Sequence, residues 1–172
     1  MRAFVAVWPP APVLGALRGL VGPPHPDVRW TPETGWHVTL AFLGDVDVCR
    51  IPEFTRALVA TGSRCGPVTA VLGPATERAG PGLLWLPVGG LDPLAGAVRA
   101  NLGPLAHHGG DQAFRGHLTV ARSRGRRRLP PDLAGVPLSA NWEVGRISLV
   151  ASHPGPGGSR YEIVGRARLG PP

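Results

Sequence analysis

Apolar and polar positions alternate along this chain in two distinct periods. Residues 3–8 (Ala-Phe-Val-Ala-Val-Trp) form a short apolar run suited to a buried strand. Pro12 then opens a segment whose apolar residues Val13, Leu14, Leu17, Leu20 and Val21 recur at helical spacing. A proline-rich loop leads to His37-Val38-Thr39-Leu40-Ala41-Phe42-Leu43-Gly44, which predicts a second strand. Further on, Ile51, Phe54 and Leu58 fit one helix face, and residues 67–73 fit a strand. Leu83 to Leu86 is another strand-like run, and Pro93 opens a helix with Leu94, Val98, Leu102 and Leu105 on one side. His117-Leu118-Thr119-Val120-Ala121-Arg122 predicts the next strand. Residues 136–144, 146–152 and 159–166 then predict a run of antiparallel strands, with 153–158 as the turn between the last two.

The pattern repeats. Pro12, Gly15, Ala16 and Arg18 recur 81 residues on as Pro93, Gly96, Ala97 and Arg99, while His37, Thr39 and Ala41 recur 80 residues on as His117, Thr119 and Ala121. Two strand–helix–loop–strand units, at about 3–44 and 83–122, point to internal duplication within a single domain spanning 1–172. The expected architecture is α+β and bilobal about a pseudo-two-fold. Each lobe is a mostly antiparallel sheet with outer helices, and the binding cleft lies between the lobes.

Composition narrows the chemistry. Glycine (25) and proline (21) are abundant in the 172 residues. Leu, Ile, Val and Phe still make up roughly a quarter of the chain, which fits a folded protein rich in turns rather than a disordered one. All 18 cationic side chains are arginine and none is lysine. That excludes P-loop nucleotide hydrolysis, lysyl-nucleotide ligation and Schiff-base chemistry, each of which needs a lysine. The net charge of +7 favours an anionic partner. Cys49 and Cys65 lack metal-ligand spacing and read as reduced thiols, so the expected compartment is the cytoplasm. Arg2 and the run after it resemble a short signal peptide, but Pro9, Pro10 and Pro12 interrupt that pattern. No stretch approaches 18 uninterrupted apolar residues, so no membrane partner is expected.

On a strand, alternate side chains share a face. His37 and Thr39 therefore lie together, opposite Val38 and Leu40, and His117 and Thr119 lie opposite Leu118 and Val120. With 6 histidines and 8 threonines, about 0.3 such tripeptides are expected by chance, and the apolar intervening residues and shared offset lower that further. If both pairs converge on one cleft, they suit in-line attack at phosphorus. One imidazole must be neutral to take a proton and the other charged to give one, and only histidine holds both forms near neutral pH. The threonine hydroxyls donate hydrogen bonds to the non-bridging oxygens. General acid and base catalysis supply roughly 10²–10⁴-fold each, enough for a strained cyclic phosphodiester without a metal.

The segments 37–44 and 114–122 resemble the paired His-x-Thr-x motifs of the 2H phosphoesterases, in particular the RNA 2′,3′-cyclic phosphodiesterases historically called 2′–5′ RNA ligases. Arg2-Ala3-Phe4-Val5-Ala6, Gly80-Pro81 and the segment from Ile147 to Tyr161 are similar to that branch as well. The resemblance implies hydrolysis of a terminal 2′,3′-cyclic phosphate of RNA to a 2′-phosphomonoester with no metal and no cofactor. It makes His37 the proton donor to the departing 3′ oxygen and His117 the proton acceptor that activates water. The motifs by themselves are symmetric and leave the two roles open. The resemblance also makes Arg122 a phosphate or ribose contact, although strict alternation would turn it away from His117 unless a bulge intervenes. Gly116 departs from the family, which often has proline there, and the departure implies a looser start to that strand.

Weaker features remain. Phe42 holds the position equivalent to Arg122 and is expected in the core. Arg122, Arg124, Arg126, Arg127 and Arg128 form a cluster that reads as a solvated loop or as a handle for the RNA backbone. Trp30, Trp36 and Phe114 flank the motifs and fit base stacking or packing equally well. His25, His107, His108 and His153 carry no partner pattern. The expected partner is an RNA ending in a 2′,3′-cyclic phosphate, bound by a monomer. The alternatives are a phosphodiesterase acting on small nucleotides of the ADP-ribose cyclic phosphate type, and a non-catalytic RNA-binding module.

Overall fold

Each half of the repeat becomes one side of a single curved sheet. The structure is a computed structural model describing residues 1–102, 105, 113–125, 128–155 and 158–170. Among these residues the elements in chain order are β1 (Arg2–Val7), α1 (Ala11–Arg18), β2 (Val28–Trp30), β3 (Val38–Asp45), α2 (Ile51–Arg64), β4 (Val68–Leu72), β5 (Glu77–Arg78), β6 (Leu83–Gly89), α3 (Asp92–Leu102), β7 (His117–Ser123), β8 (Ala140–Val144), β9 (Arg146–His153) and β10 (Arg160–Arg168). The sheet runs β10-β9-β1-β3-β7-β6-β4-β8, with β2 paired to β7 and β5 to β6. Every one of these pairings is antiparallel. The α+β bilobal expectation holds.

The central strands β3 and β7 meet at one residue pair, Val38 with Leu118. These two residues are themselves 80 apart, so the pseudo-two-fold passes through their contact. Strand pairing shows the same relation. Val5, Ala6 and Val7 pair with Ala41, Thr39 and Val38, while Leu84, Trp85 and Leu86 pair with Ala121, Thr119 and Leu118. The first strands thus match at an offset of 79 and the second at 80. Both halves skip a residue at the same place, Leu40 in β3 and Val120 in β7, both fully buried, and β3 skips a second buried residue, Leu43. Each skip is a β-bulge.

The helices cover the other face and cross between the halves. α3, which follows β6, packs on β3, and α1, which follows β1, packs on β8. α2 lies against β9, β10 and α3. Its Phe54 and Leu58 are fully buried, as their spacing predicts. Gly62 lets it approach closely, because a Cβ there would overlap the Arg168 carbonyl. Burying a side chain such as Phe54 or Leu58 contributes about 1.5–3 kcal/mol.

The predicted α1 is too long: it ends at Arg18, the Gly19 N–H closes its last turn, and Val21 is 41% exposed. β8 is also shorter than predicted, because residues 136–139 lie outside it. Leu105 falls beyond α3 but still packs on the core. The short strands β2 and β5 have no signal in the apolar pattern, since each exists only as an addition to a longer strand.

Candidate active site

The bulges decide what faces the cleft. Cross-strand partners share a face, and β6 pairs Pro87, Trp85 and Leu83 with His117, Thr119 and Arg122. Positions 83, 85 and 87 lie on one side of β6, so His117, Thr119 and Arg122 do too. The skipped Val120 reverses the alternation and returns Arg122 to the face of His117. In the first half, Ala6 pairs with Thr39 and Phe4 with Phe42. Phe42 therefore faces the cleft beside Thr39, 67% exposed. The expectation that Phe42 is a core residue is overturned, because unbroken alternation fails at Leu40.

The Val38–Leu118 pair is antiparallel. One step either way from it runs His37 to the side of Thr119 and Thr39 to the side of His117. Both threonines are half-buried, and among the described residues neither hydroxyl has a hydrogen-bond partner. Both are free to donate to a bound anion.

His37 stands just before β3. It follows a turn of 3₁₀ helix, Glu33–Gly35, which is tied to α1 by hydrogen bonds of 2.7 and 2.8 Å from Arg18 to the Glu33 carboxylate. The imidazole sits in an aromatic enclosure. Phe4 stacks on it with centroids 4.9 Å apart, Tyr161 meets it edge-on at 4.9 Å, and Trp8 lies at 5.3 Å. Burial pushes its pKa down to about 4. The Gly35 carbonyl favours the charged form, although it completes no hydrogen bond to the buried Nδ1. His117 and Arg122 oppose that form, so charges on the two histidines are in electrostatic contact across the cleft.

His117 opens β7. Its Nδ1 lies 2.8 Å from the Arg115 carbonyl, and donation there leaves Nε2 as the free ring nitrogen. The ring packs on Trp85 at 4.2 Å. The Arg115 guanidinium stands 4.8 Å from the Trp85 ring and 3.1 Å from a Glu77 carboxylate oxygen, which also accepts from Trp85 Nε1 at 3.4 Å. Burial lowers the His117 pKa as well, with the Arg115 carbonyl working against it and the Arg115 and Arg122 charges adding to it. Burial thus disfavours the charged form of both rings.

Gly116 is pinned rather than loose. Its carbonyl accepts from Val88 N–H at 2.9 Å, and a Cβ on it would overlap the Val88 carbonyl.

The arginine cluster divides. Arg122 is exposed on the cleft face. Arg124 instead braces β2, its backbone N–H donating to Asp27 O and its Nε to Val28 O. Arg128 is exposed, and Arg126 and Arg127 lie outside the described residues, as do His107 and His108. Trp36 is 2% exposed and belongs to the core. Trp30 is half-buried against the core with its Nε1 toward Pro23 O, and Phe114 is half-buried beneath Arg99. His25 accepts from its own turn at Asp27 N–H, and His153 pairs with Glu162.

Phe4, Trp8, Tyr161, Trp85, Arg115 and Glu77 escaped the sequence. Phe4, in β1, and Trp8, just past its end, carry a signal, because they fall on alternate positions of one run, but an all-apolar run hides which side faces the site. Tyr161 reaches His37 from more than a hundred residues away and carries none. Among the described residues no three His, Cys, Asp or Glu side chains are grouped to hold a metal ion, and no helix is long and apolar enough to cross a membrane. Cys49 and Cys65 are unpaired.

Known proteins share this fold. The family model of the 2′-5′ RNA ligase superfamily matches residues 8–156. Among solved structures, TT0787 of Thermus thermophilus is similar over 99% of this chain and 99% of its own, with 26% identity and a TM-score of 0.84. LigT of E. coli in its apo form is similar over 98% of this chain and 97% of its own, with 27% identity and a TM-score of 0.72. A protein described as a phosphoesterase covers 98% of each chain at 26% identity, with a TM-score of 0.74. No curated protein matches.

Proposed function

The chain belongs to the 2′-5′ RNA ligase superfamily, and from that premise we propose that it opens the terminal 2′,3′-cyclic phosphate of an RNA to a 2′-phosphomonoester. Similarity to a protein described as a phosphoesterase supports phosphoester hydrolysis. One observation carries the specific reading: two His–Thr pairs flank a single antiparallel contact between β3 and β7 on one face.

In this mechanism His117 takes a proton from water as the water attacks phosphorus opposite the 3′ oxygen. His37 protonates that oxygen as the P–O3′ bond breaks. Thr39 and Thr119 donate to the non-bridging oxygens, and Arg122 contacts the substrate further along β7. No metal or cofactor takes part in any step. The depressed pKa of His37 sets a condition on its role. It carries a proton at neutral pH only when the anionic phosphodiester is bound beside it, since the negative charge restores the imidazolium that burial disfavours. In the free enzyme His117, less deeply buried, is the easier of the two to protonate. The regiochemistry of the product therefore tests the assignment: reversed roles yield the 3′-phosphate.

Hydrolysis of a cyclic-phosphate-ended RNA in the presence of a chelator, by wild type, His37→Ala and His117→Ala, tests the whole scheme. Full activity in either variant, or loss of wild-type activity to the chelator, rejects it. A second reading, hydrolysis of small cyclic nucleotides, draws support from LigT having been crystallised with 3′-AMP and with NADP+. Relative rates on an oligomer and on a mononucleoside cyclic phosphate separate the two. The free thiols support a cytoplasmic location.

A further inference from the structure

β2 brings a second arginine to the cleft. Its three residues Val28, Arg29 and Trp30 pair with Ser123, Arg122 and Ala121 of β7. Arg29 therefore stands directly across from Arg122 and shares its face, while Val28 and Trp30 turn toward the core. Both arginines are exposed, and among the described residues neither has an acidic partner. Like charges directly opposite on a sheet repel each other. Here the repulsion stands uncompensated, beside a threonine already free to bind phosphate. The Nη1 of Arg29 lies close to Gly158, next to the β10 strand that supplies Tyr161.

We propose that Arg29 and Arg122 together form a second phosphate subsite, which takes the phosphate on the 5′ oxygen of the terminal nucleoside. The inference deepens the proposed function and rests on it. With one residue bulged out, Arg122 stands two paired positions along β7 from Thr119, roughly 7 Å at the usual strand rise. From the Val38–Leu118 contact, that direction leads past His37 and away from His117. With His37 as donor to the 3′ oxygen, the departing ribose lies on the His37 side, and the chain continues from its 5′ carbon toward the arginines. Phe42 occupies the equivalent place at the other end, by His117, where no cation is needed. The enzyme thereby distinguishes an RNA end from a bare nucleoside cyclic phosphate.

The test compares wild type with Arg29→Ala on three substrates: a nucleoside 2′,3′-cyclic phosphate, the same compound bearing a 5′-phosphate, and a dinucleotide ending in the cyclic phosphate. The expected result is a loss of about tenfold in kcat/KM on the two substrates with the second phosphate and no change on the first. On the dinucleotide the dependence of log kcat/KM on log salt becomes shallower by about one. Loss confined to the dinucleotide assigns the subsite to an RNA chain, and loss on both assigns it to any 5′-phosphorylated end. Arg29→Lys recovers part of the loss. Equal losses on all three substrates, or no loss on any, overturn the subsite. If wild type hydrolyses none of the three, the proposed function fails instead. Fluorescence anisotropy with a 2′-phosphate-ended oligonucleotide then still tests Arg29, since equal binding by wild type and Arg29→Ala rejects its role.

Discussion

The two halves of the molecule share a skeleton and differ in what they hang on it. Each contributes a strand pair with a buried bulge, Leu40 or Val120, and a His–Thr pair beside the central contact. At the position the bulge turns outward, one half carries Phe42 and the other Arg122. One histidine sits among Phe4, Trp8 and Tyr161, the other on a Trp85–Arg115–Glu77 network. Duplication of the strand pair makes two equivalent proton carriers. Only the unequal surroundings distinguish them, and in the proposed mechanism that difference separates the donor from the acceptor. The difference teaches that symmetry supplies the chemical groups here and asymmetry supplies the direction of the reaction.

The largest effects should ignore the asymmetry. His37→Ala and His117→Ala each lower kcat by about 10²–10⁴, measured on a cyclic-phosphate RNA. A much smaller loss in one would mean that only one half is catalytic. Next, Arg122→Ala should lower kcat/KM by about 10–100-fold, the range of charge-assisted hydrogen bonds. Thr39→Val and Thr119→Val should each cost about tenfold, and equally, because both hydroxyls face the same phosphate. The exposed Phe42 offers the cleft an aromatic face on which a base can stack. Phe42→Ala should therefore raise KM at least about fivefold with kcat preserved, the lower end of what stacking contributes. A drop in kcat with unchanged KM would instead make Phe42 part of the chemistry.

The smallest effect is one of pH. The pH dependence of kcat/KM reports the free enzyme, in which burial lowers both histidine pKa values. The alkaline limb of kcat/KM therefore falls below the ordinary histidine value. Bound phosphate favours the imidazolium, so the same limb in kcat should stand higher. Coincident limbs in the two profiles would show that the bound anion leaves the pair untouched.

The strands and helices were legible because their signals are local: Phe54 and Leu58 one helical turn apart, Val38 and Leu40 alternating with polar residues. The repeat was legible for the same reason, through His37, Thr39, His117 and Thr119. The failures have a common cause. Phe42 read as core because alternation was carried past Leu40, and Arg122 read as turned away until a bulge was allowed at Val120. β2 was invisible, and with it Arg29, because three residues form a strand only when a neighbour such as β7 offers an edge.

By itself the sequence determined which chemistry is available: two histidines and two threonines in matching register, arginine as the cation of every basic site, and no lysine for covalent nucleotide transfer. Tertiary structure decided where that chemistry points. A bulge is a mismatch between two strands, so neither strand alone encodes which residues it turns toward the cleft. The pKa values are likewise nonlocal, since they depend on what buries each ring. Phe4 and Tyr161 reach His37 from opposite ends of the chain, and Trp85 reaches His117 from a neighbouring strand.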